Sequence, residues 1–99
     1  MLLGAGNLYP AYVRGVAYLK ARRGREAAGE FQKILHHRGI VISDPVGAVA
    51  KLQLGRAYAL AGDEDKAKTA YADFLTLWKD ADPDIPILKE AKAEYAKLQ

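Results

Sequence analysis

Apolar residues recur three and four positions apart in five segments of this chain, which is the spacing of one face of an α-helix. The predicted helices cover about residues 10–21, 25–37, 45–60, 64–79 and 83–98. Glycines separate the first four helices, and a segment with two prolines separates the last two. Alanine and leucine are the commonest residues and β-branched residues are few, so the composition also favours helices. The chain is therefore predicted to be all-α.

Local signals set the predicted helix boundaries. Gly24 is predicted to break the first helix, and Gly62 to end the third. Asp63 is a candidate N-cap of the fourth helix, and the acidic residues after it complement the helix dipole. Residues 40–42 are predicted to form an extended connector, and Ser43-Asp44-Pro45 to start the third helix with a capping side chain.

One helix pair repeats the other at a constant offset of 40 residues. The matching positions are Gly15 and Gly55, Tyr18 and Tyr58, Ala27 and Ala67, and Phe31 and Tyr71. The small residues allow neighbouring helices to approach closely, and the aromatic rings fill the space around the crossings, so we interpret the rings as core residues. Internal repetition at such a period is typical of stacked supersecondary units.

These motifs resemble the tetratricopeptide repeat (TPR) family. The second copy matches better, with Leu54-Gly55-x2-Tyr58, Gly62-Asp63 at the turn, Ala67-x3-Tyr71, and Pro83 beyond the second helix. The resemblance covers about residues 8–83 and implies an αα-hairpin repeat stack in a single domain, residues 1–99. Repeat one is then about 8–38, the connector 39–44, repeat two about 45–82 and a C-terminal capping helix about 83–98.

Both copies depart from the family pattern at particular positions. Arg14 stands where leucine is usual, Ala11 and Lys51 stand where tryptophan is frequent, and the first turn glycine is displaced to Gly24. The offset of 40 also exceeds the usual repeat length of about 34 residues. The difference implies an insertion of about six residues in the connector.

A narrower resemblance concerns residues 9–15 and 74–86, which read YPAYVRG and FLTLWKDADPDIP. They are similar to the last TPR repeats of some bacterial eukaryotic-like serine/threonine protein kinases and related signalling proteins. In those proteins the repeats follow other domains and end the chain. The resemblance therefore implies a C-terminal segment of a larger bacterial signalling protein, without the kinase's phosphate loop or catalytic loop.

Charge is distributed unevenly along the chain. Residues 1–40 carry seven basic and two acidic side chains, whereas residues 41–99 carry eight basic and ten acidic ones. A basic half is compatible with nucleic-acid binding. However, only Arg22, Arg23 and Arg25 cluster, at a predicted turn, and no recognition helix or zinc finger is evident. We therefore expect a solvated turn and no nucleic-acid partner.

Two absences in the sequence exclude further classes of protein. The chain has no cysteine, which excludes a disulfide scaffold and thiolate chemistry. No run of 18 apolar residues occurs, so we expect no direct membrane insertion. Neither observation assigns a compartment.

Residues capable of catalysis are few. Ser43 is the only serine, and its neighbours suit a helix cap rather than a nucleophile elbow. His36 and His37 are adjacent, so on a helix they do not form the i, i+4 pair of a zinc helix. The acidic residues at 63–65 and 80–84 lie at predicted helix starts and turns, where carboxylates act as caps. We expect a protein that is not an enzyme and has no catalytic, cofactor or metal site.

The TPR resemblance implies that the first helix of each pair lines a concave groove for a protein or peptide. The groove positions are Tyr12, Val16, Leu19, Lys20, Leu52, Arg56, Ala59 and Leu60. Lys20 and Arg56 are candidates to pair with an acidic side chain or a C-terminal carboxylate of an extended peptide. In the alternative interpretation, Tyr12 and Leu52 are buried between the repeats, and the two cations only keep the surface soluble.

Self-association is a second functional alternative. Stacks of helix pairs usually need at least three repeats, and this chain has two pairs and a capping helix. Five apolar residues are candidates to cover the missing neighbour's face, in this chain or in a second copy: Leu2, Leu3, Leu8, Tyr9 and Val13. The groove faces would then serve to form a homo-oligomer, whereas the first interpretation is an adaptor, scaffold or sensor.

Overall fold

Five helices make up the fold. The computed structural model describes the backbone of residues 3–38 and 45–99 and the side chains of residues 10–36 and 47–99. The helices are α1 (Leu3–Lys20), α2 (Gly24–Arg38), α3 (Pro45–Ala61), α4 (Glu64–Leu77) and α5 (Pro86–Leu98). No strand occurs in these ranges, so the prediction of an all-α fold is confirmed. The predicted connector at 40–42 and the Ser43-Asp44 cap lie outside the described residues.

Two helices begin at other residues than predicted, because the position of a proline relative to the helix start was predicted incorrectly. Helix α1 begins at Leu3, and Pro10, predicted to lie near its start, lies inside it. A proline inside a helix removes one backbone hydrogen bond, which this 18-residue helix tolerates. Helix α5 begins at Pro86 rather than near residue 83, and Ile85 is its N-cap. Pro86 occupies the first turn, where its missing N–H has no helical partner to lose.

The boundaries of α4 follow local capping. The side chain of Asp63 accepts a hydrogen bond from the backbone N–H of Lys66 at 3.3 Å, which confirms the predicted N-cap. Helix α4 ends at Leu77, two residues before the predicted end. Trp78 is the C-cap, with its N–H bonded to the carbonyl of Phe74.

The turns after α1 and α3 share one hydrogen-bond pattern, at positions 40 residues apart. The N–H of Arg23 donates to the carbonyl of Tyr18 at 2.8 Å, and the N–H of Asp63 donates to the carbonyl of Tyr58 at 2.9 Å. A second, inner hydrogen bond also recurs at this offset, within residues 19–22 and 59–62. Together the two bonds form the Schellman motif, which satisfies the last carbonyls of a helix.

The left-handed residue of each turn differs between the two copies. Gly62 has φ 86°, which confirms that it ends α3, whereas the corresponding residue of the first turn is Arg22, with φ 62°. The prediction that Gly24 breaks the first helix was therefore wrong, because Gly24 is the first residue of α2. A Cβ atom at Gly24 would lie 2.6 Å from the carbonyl oxygen of Ala57. Glycine is required there by the approach of α3, not by the turn.

Exchanging the turn residues tests this assignment. The Arg22→Gly variant is expected to raise the free energy of unfolding by about 0.5–1 kcal/mol, because arginine is strained in the left-handed region. The Gly62→Ala variant is expected to lower it by about 1 kcal/mol, since a Cβ there meets no atom within 4 Å and only the backbone conformation is penalised. Urea unfolding measures both changes, and equal signs would contradict the assignment.

Each helix packs against the next one in sequence, and α1 also contacts α3. Two buried clusters result. The first joins α1, α2 and α3 and consists of Ala11, Ala27, Ala28, Phe31, Ile34, Ala50, Leu54 and Ala57. The second joins α3, α4 and α5 and consists of Ala48, Leu52, Ala67, Tyr71, Phe74, Leu88 and Ala91.

Two of the repeated glycines lie against the repeated aromatic rings. A Cβ atom at Gly15 would lie 2.6 Å from the Phe31 ring, and one at Gly55 would lie 3.2 Å from the Tyr71 ring. Both rings are buried. The predicted core role of these two rings is therefore confirmed, with a closer helix approach in the first pair than in the second.

Within residues 3–38 and 45–99, no helix combines the length and the apolar character needed to cross a bilayer.

Candidate functional site

Helix α5 covers two of the four predicted groove residues that α3 contributes, Leu52 and Arg56. Leu52 has no exposed surface and lies in the same cluster as Leu88 and Ala91 of α5. The Arg56 side chain keeps 25% of its surface exposed and binds carboxylates of α5. Leu52 and Arg56 therefore do not line an open surface, and the burial of Leu52 agrees with the alternative interpretation of that residue. The physical reason is that α5 supplies both the apolar contact and the negative charge.

Arg56 and Glu94 form a two-point ion pair between α3 and α5. The Nε atom of Arg56 donates to Glu94 Oε1 at 2.9 Å, and Nη2 donates to Oε2 at 2.9 Å. Tyr71 of α4 donates its hydroxyl to Glu94 Oε1 at 2.6 Å. Glu90 lies one helical turn before Glu94, and its Oε1 accepts from Arg56 Nη2 at 3.3 Å. Such a forked geometry recognises a carboxylate with high directionality.

The ionisation of this cluster reflects its partial burial. Burial opposes the charged form of Glu94, but the hydrogen bonds from Arg56 and Tyr71 outweigh it, so the pKa of Glu94 lies below its ordinary value. Burial likewise opposes the charge on Arg56, and Glu94 reverses that effect, so the pKa of Arg56 is raised. Burial and the adjacent carboxylate both raise the pKa of Tyr71. The cluster is therefore a charged arginine, a carboxylate and a neutral phenol at neutral pH.

The same cluster continues to α1. Arg56 Nη1 donates to the side-chain oxygen of Gln53 at 3.2 Å, and the amide nitrogen of Gln53 donates to the Tyr12 hydroxyl at 3.1 Å. Side chains from α1, α3, α4 and α5 thus belong to one hydrogen-bonded chain. Of the predicted groove residues, the structure brings Tyr12 and Arg56 into this chain.

The other predicted groove residues differ in exposure. Lys20 is exposed at the end of α1. The remaining ones are half-buried: Val16, Leu19, Ala59 and Leu60, as is Tyr12, whose ring packs edge-on against Phe31. Val13, named for self-association, has 47% of its surface exposed. The side chains of Leu2, Leu3, Leu8 and Tyr9 lie outside the described residues. A partner at the α1 end of the face remains a prediction.

A cleft lies between α2 and α4, above α3. Two cavities of about 770 Å³ and 850 Å³ form it. They share Gly29, Gln32, Tyr58, Asp65 and Lys66, so the cleft is continuous. We call this surface the α2–α4 cleft.

The α2–α4 cleft has a partly apolar floor, which also contains Lys51 of α3, and walls of opposite charge. Leu54 and Tyr58 of α3 lie at the floor, where the Gln32 amide donates to the Tyr58 hydroxyl and Lys66 Nζ lies 5.6 Å from the Tyr58 ring centre. The α2 wall is basic and consists of Arg25, Lys33 and His36. The α4 wall is mainly acidic and consists of Asp63, Glu64, Asp65, Lys66 and Asp73. Asp63 is paired with Lys66 at 3.8 Å and Asp73 with Lys51 at 3.4 Å, which, among the described residues, leaves Glu64 and Asp65 as the acidic residues open to a partner.

Sequence reasoning missed the α2–α4 cleft because the TPR resemblance directs attention to the first helix of each pair. One signal was present in the sequence. Gly29 stands in the middle of α2, where glycine lowers helix stability, and a Cβ there would meet no atom within 4 Å. It is therefore not needed for packing. Together with the polar residues around it, it marks a side of α2 without a neighbouring helix.

The described residues offer little catalytic chemistry. In the searched ranges, no group of three or more His, Asp or Glu side chains is placed to hold a metal ion. His36 is exposed at the rim of the α2–α4 cleft. Ser43 lies outside the described residues. The arrangement suits binding by apolar contact and charge.

Three comparisons with known proteins were made. No protein-family model, no curated protein and no solved structure matches this chain at a significant level.

Proposed function

We propose that this chain is a non-catalytic protein-interaction module, acting as an adaptor, scaffold or sensor segment of a larger bacterial signalling protein. The observation that carries the proposal is the α2–α4 cleft, which combines a partly apolar floor with two walls of opposite charge. Clefts of this kind accept an amphipathic helix, whose apolar edge contacts the floor. The charge of the walls specifies a partner helix with carboxylates towards α2 and basic side chains towards α4.

A TPR-type repeat arrangement is part of this proposal. Two observations at the 40-residue offset support it. The turn hydrogen bonds recur at positions 18–23 and 58–63, and the glycine-to-ring contacts recur between Gly15 and Phe31 and between Gly55 and Tyr71. Because both backbone and packing features recur, the two helix pairs are proposed to be copies of one unit.

A bulky side chain at Gly29 tests the proposed binding site. The Gly29→Leu variant is expected to fill the α2–α4 cleft and to weaken peptide capture at least tenfold, because position 29 lines both cavities and has free space around it. Helix stability is not expected to fall, since leucine is a better helix former than glycine. The probes are 18-residue helical peptides selected from a displayed library on the unmodified chain, and fluorescence anisotropy measures their affinity.

The matched control places the same side chain elsewhere. Ala93→Leu adds a leucine at an exposed position of α5, away from the cleft. This variant is expected to bind the selected peptides as the unmodified chain does. The proposal is wrong if Gly29→Leu retains full affinity, or if both variants lose affinity equally.

A further inference from the structure

At three positions, the contacts that join the second helix pair to α5 are polar, whereas the corresponding contacts that join the first pair to α3 are apolar. The corresponding residues, 40 positions apart, are Val16 and Arg56, Phe31 and Tyr71, and Leu54 and Glu94. The first member of each pair belongs to or packs against one buried apolar cluster. The second members are joined by hydrogen bonds of 2.6–2.9 Å. Helix α5 thus contacts the second pair through the positions that correspond to those between α3 and the first pair, although it packs less extensively.

This exchange of apolar for polar contacts changes what holds the helix. A partly buried ion pair adds little net stability compared with apolar side chains of similar volume. It does discriminate strongly between helices, because a helix without the carboxylate leaves the arginine unpaired. The Arg56 site therefore contributes more to specificity for a helix with a glutamate than to the stability of the packed helix.

The remaining contacts of α5 are limited. Two of its residues, Leu88 and Ala91, are buried. It packs less extensively against α4 than α3 does. Its N-cap, Ile85, makes no side-chain hydrogen bond, whereas α4 begins at the capping side chain of Asp63. Ile87, Tyr95 and Leu98 are partly buried against the second cluster. Apart from its ion pair, helix α5 is therefore held by less extensive packing than α3 is.

We propose that the surface of α3 and α4 beneath α5 is a docking site for a helix of another protein that carries a glutamate, and that α5 is its internal competitor. Charge complementarity supports this partner, since Arg56 already binds two carboxylates of a helix. Leu52 and Phe74 supply the apolar part of the surface, and both have no exposed area while α5 is in place. The site lies apart from the α2–α4 cleft, so its test is independent of the test of the proposed function.

The register of α5 defines the sequence pattern of the partner helix. Five of its contacting positions define this pattern: Leu88, Ala91, Glu94, Tyr95 and Leu98. A partner helix is thus expected to read apolar-x2-small-x2-Glu-aromatic-x2-apolar. The small residue faces the buried cluster, and the glutamate reaches Arg56 and Tyr71.

A peptide with the sequence of residues 84–99, added to the full chain, tests the docking site. In the Glu94→Gln variant the internal helix has lost its carboxylate, whereas the added peptide keeps it. This variant is expected to bind the peptide at least tenfold more tightly than the unmodified chain. A second peptide with glutamine at the position of Glu94 is expected to bind at least tenfold more weakly than the first.

Lys92→Gln is the matched control variant. Lys92 lies on the exposed side of α5, so its loss is expected to change peptide affinity less than threefold. Light scattering on the unmodified chain completes the test. A monomer at all concentrations supports a separate partner, whereas a dimer formed by exchange of α5 overturns it. Equal peptide affinity of the Glu94→Gln variant and the unmodified chain also overturns the proposal.

Hydrogen exchange on the unmodified chain provides a measurement that needs no variant. The amides of α5 are expected to exchange at least tenfold faster than those of α3 and α4. Saturating peptide is expected to accelerate exchange in α5 further, because it displaces the helix. Exchange of α5 at the rate of α3 and α4, unchanged by peptide, would contradict the proposal.

Discussion

The Gly24→Ala variant is expected to lower the free energy of unfolding by about 3 kcal/mol. The added Cβ atom would lie 2.6 Å from the carbonyl oxygen of Ala57 and 2.7 Å from the backbone nitrogen of Ala61. Both are backbone atoms of α3, so no side-chain rotation relieves the contact. The start of α2 has to move away from α3, which opens the first buried cluster. Urea unfolding followed by circular dichroism measures the change.

Gly29→Ala provides the control for this substitution on the same helix. A Cβ at position 29 meets no atom within 4 Å, and the backbone there is helical. The free energy of unfolding of this variant is expected to rise by about 0.5–1 kcal/mol, because alanine loses less conformational freedom on folding than glycine does. Opposite signs at positions 24 and 29 are therefore expected. A gain at both positions would show that helix propensity, not helix approach, governs α2, and a loss at both would contradict the open space around Gly29.

The Arg56→Met variant is expected to lower the free energy of unfolding by about 2 kcal/mol at pH 7. Methionine keeps much of the side-chain volume but leaves the carboxylate of Glu94 with Tyr71 as its remaining hydrogen-bond partner. This loss of stability is smaller than that expected for a fully buried ion pair, because the Arg56 and Glu94 side chains are 25% and 32% exposed. Hydrogen exchange is expected to show the largest loss of protection in α5.

The pH dependence of this loss identifies its cause. In the unmodified chain the pKa of Glu94 is lowered by Arg56 and Tyr71 against the effect of burial, with a smaller contribution from Lys97. A carboxylate with a lowered folded pKa stabilises the fold above its unfolded pKa of about 4.3. That stability disappears as the pH falls through the folded value.

The difference in the free energy of unfolding between the Arg56→Met variant and the unmodified chain is therefore expected to decrease below about pH 4.3. In the variant, burial of Glu94 without its arginine raises the pKa, so protonation removes the unfavourable charge. Unfolding at a series of pH values from 7 to 3 measures this difference. A difference that stays constant over this range would assign the loss to packing rather than to the ion pair.

Much of the fold follows from local interactions that are visible in the sequence. The five helices follow from apolar periodicity, and the ends at Gly62 and Asp63 follow from turn and cap chemistry within a few residues. The errors at Pro10 and Gly24 have one origin. Each residue has a common local role, as a helix start or a turn, and each is used differently here.

The candidate sites were less accessible to sequence reasoning. Val16, Leu19 and Lys20 lie on α1 as its periodicity implies, but the exposure of Leu52 and Arg56 depends on α5, more than 25 residues away in sequence. The partnership of Arg56 with Glu94 spans 38 residues, and no local rule relates the two. The α2–α4 cleft likewise depends on how α2 and α4 both pack against α3, since these two helices are not consecutive in the sequence.

The sequence by itself determined the number and type of the elements, because helix periodicity, capping and turn formation depend on residues within one or two turns of each other. It also determined the 40-residue offset of the two helix pairs. Only the tertiary structure decided which face of each helix stays open. It placed the carboxylates of α5 on Arg56 and left Gly29 facing a cleft, because exposure and charge pairing depend on contacts between helices distant in sequence.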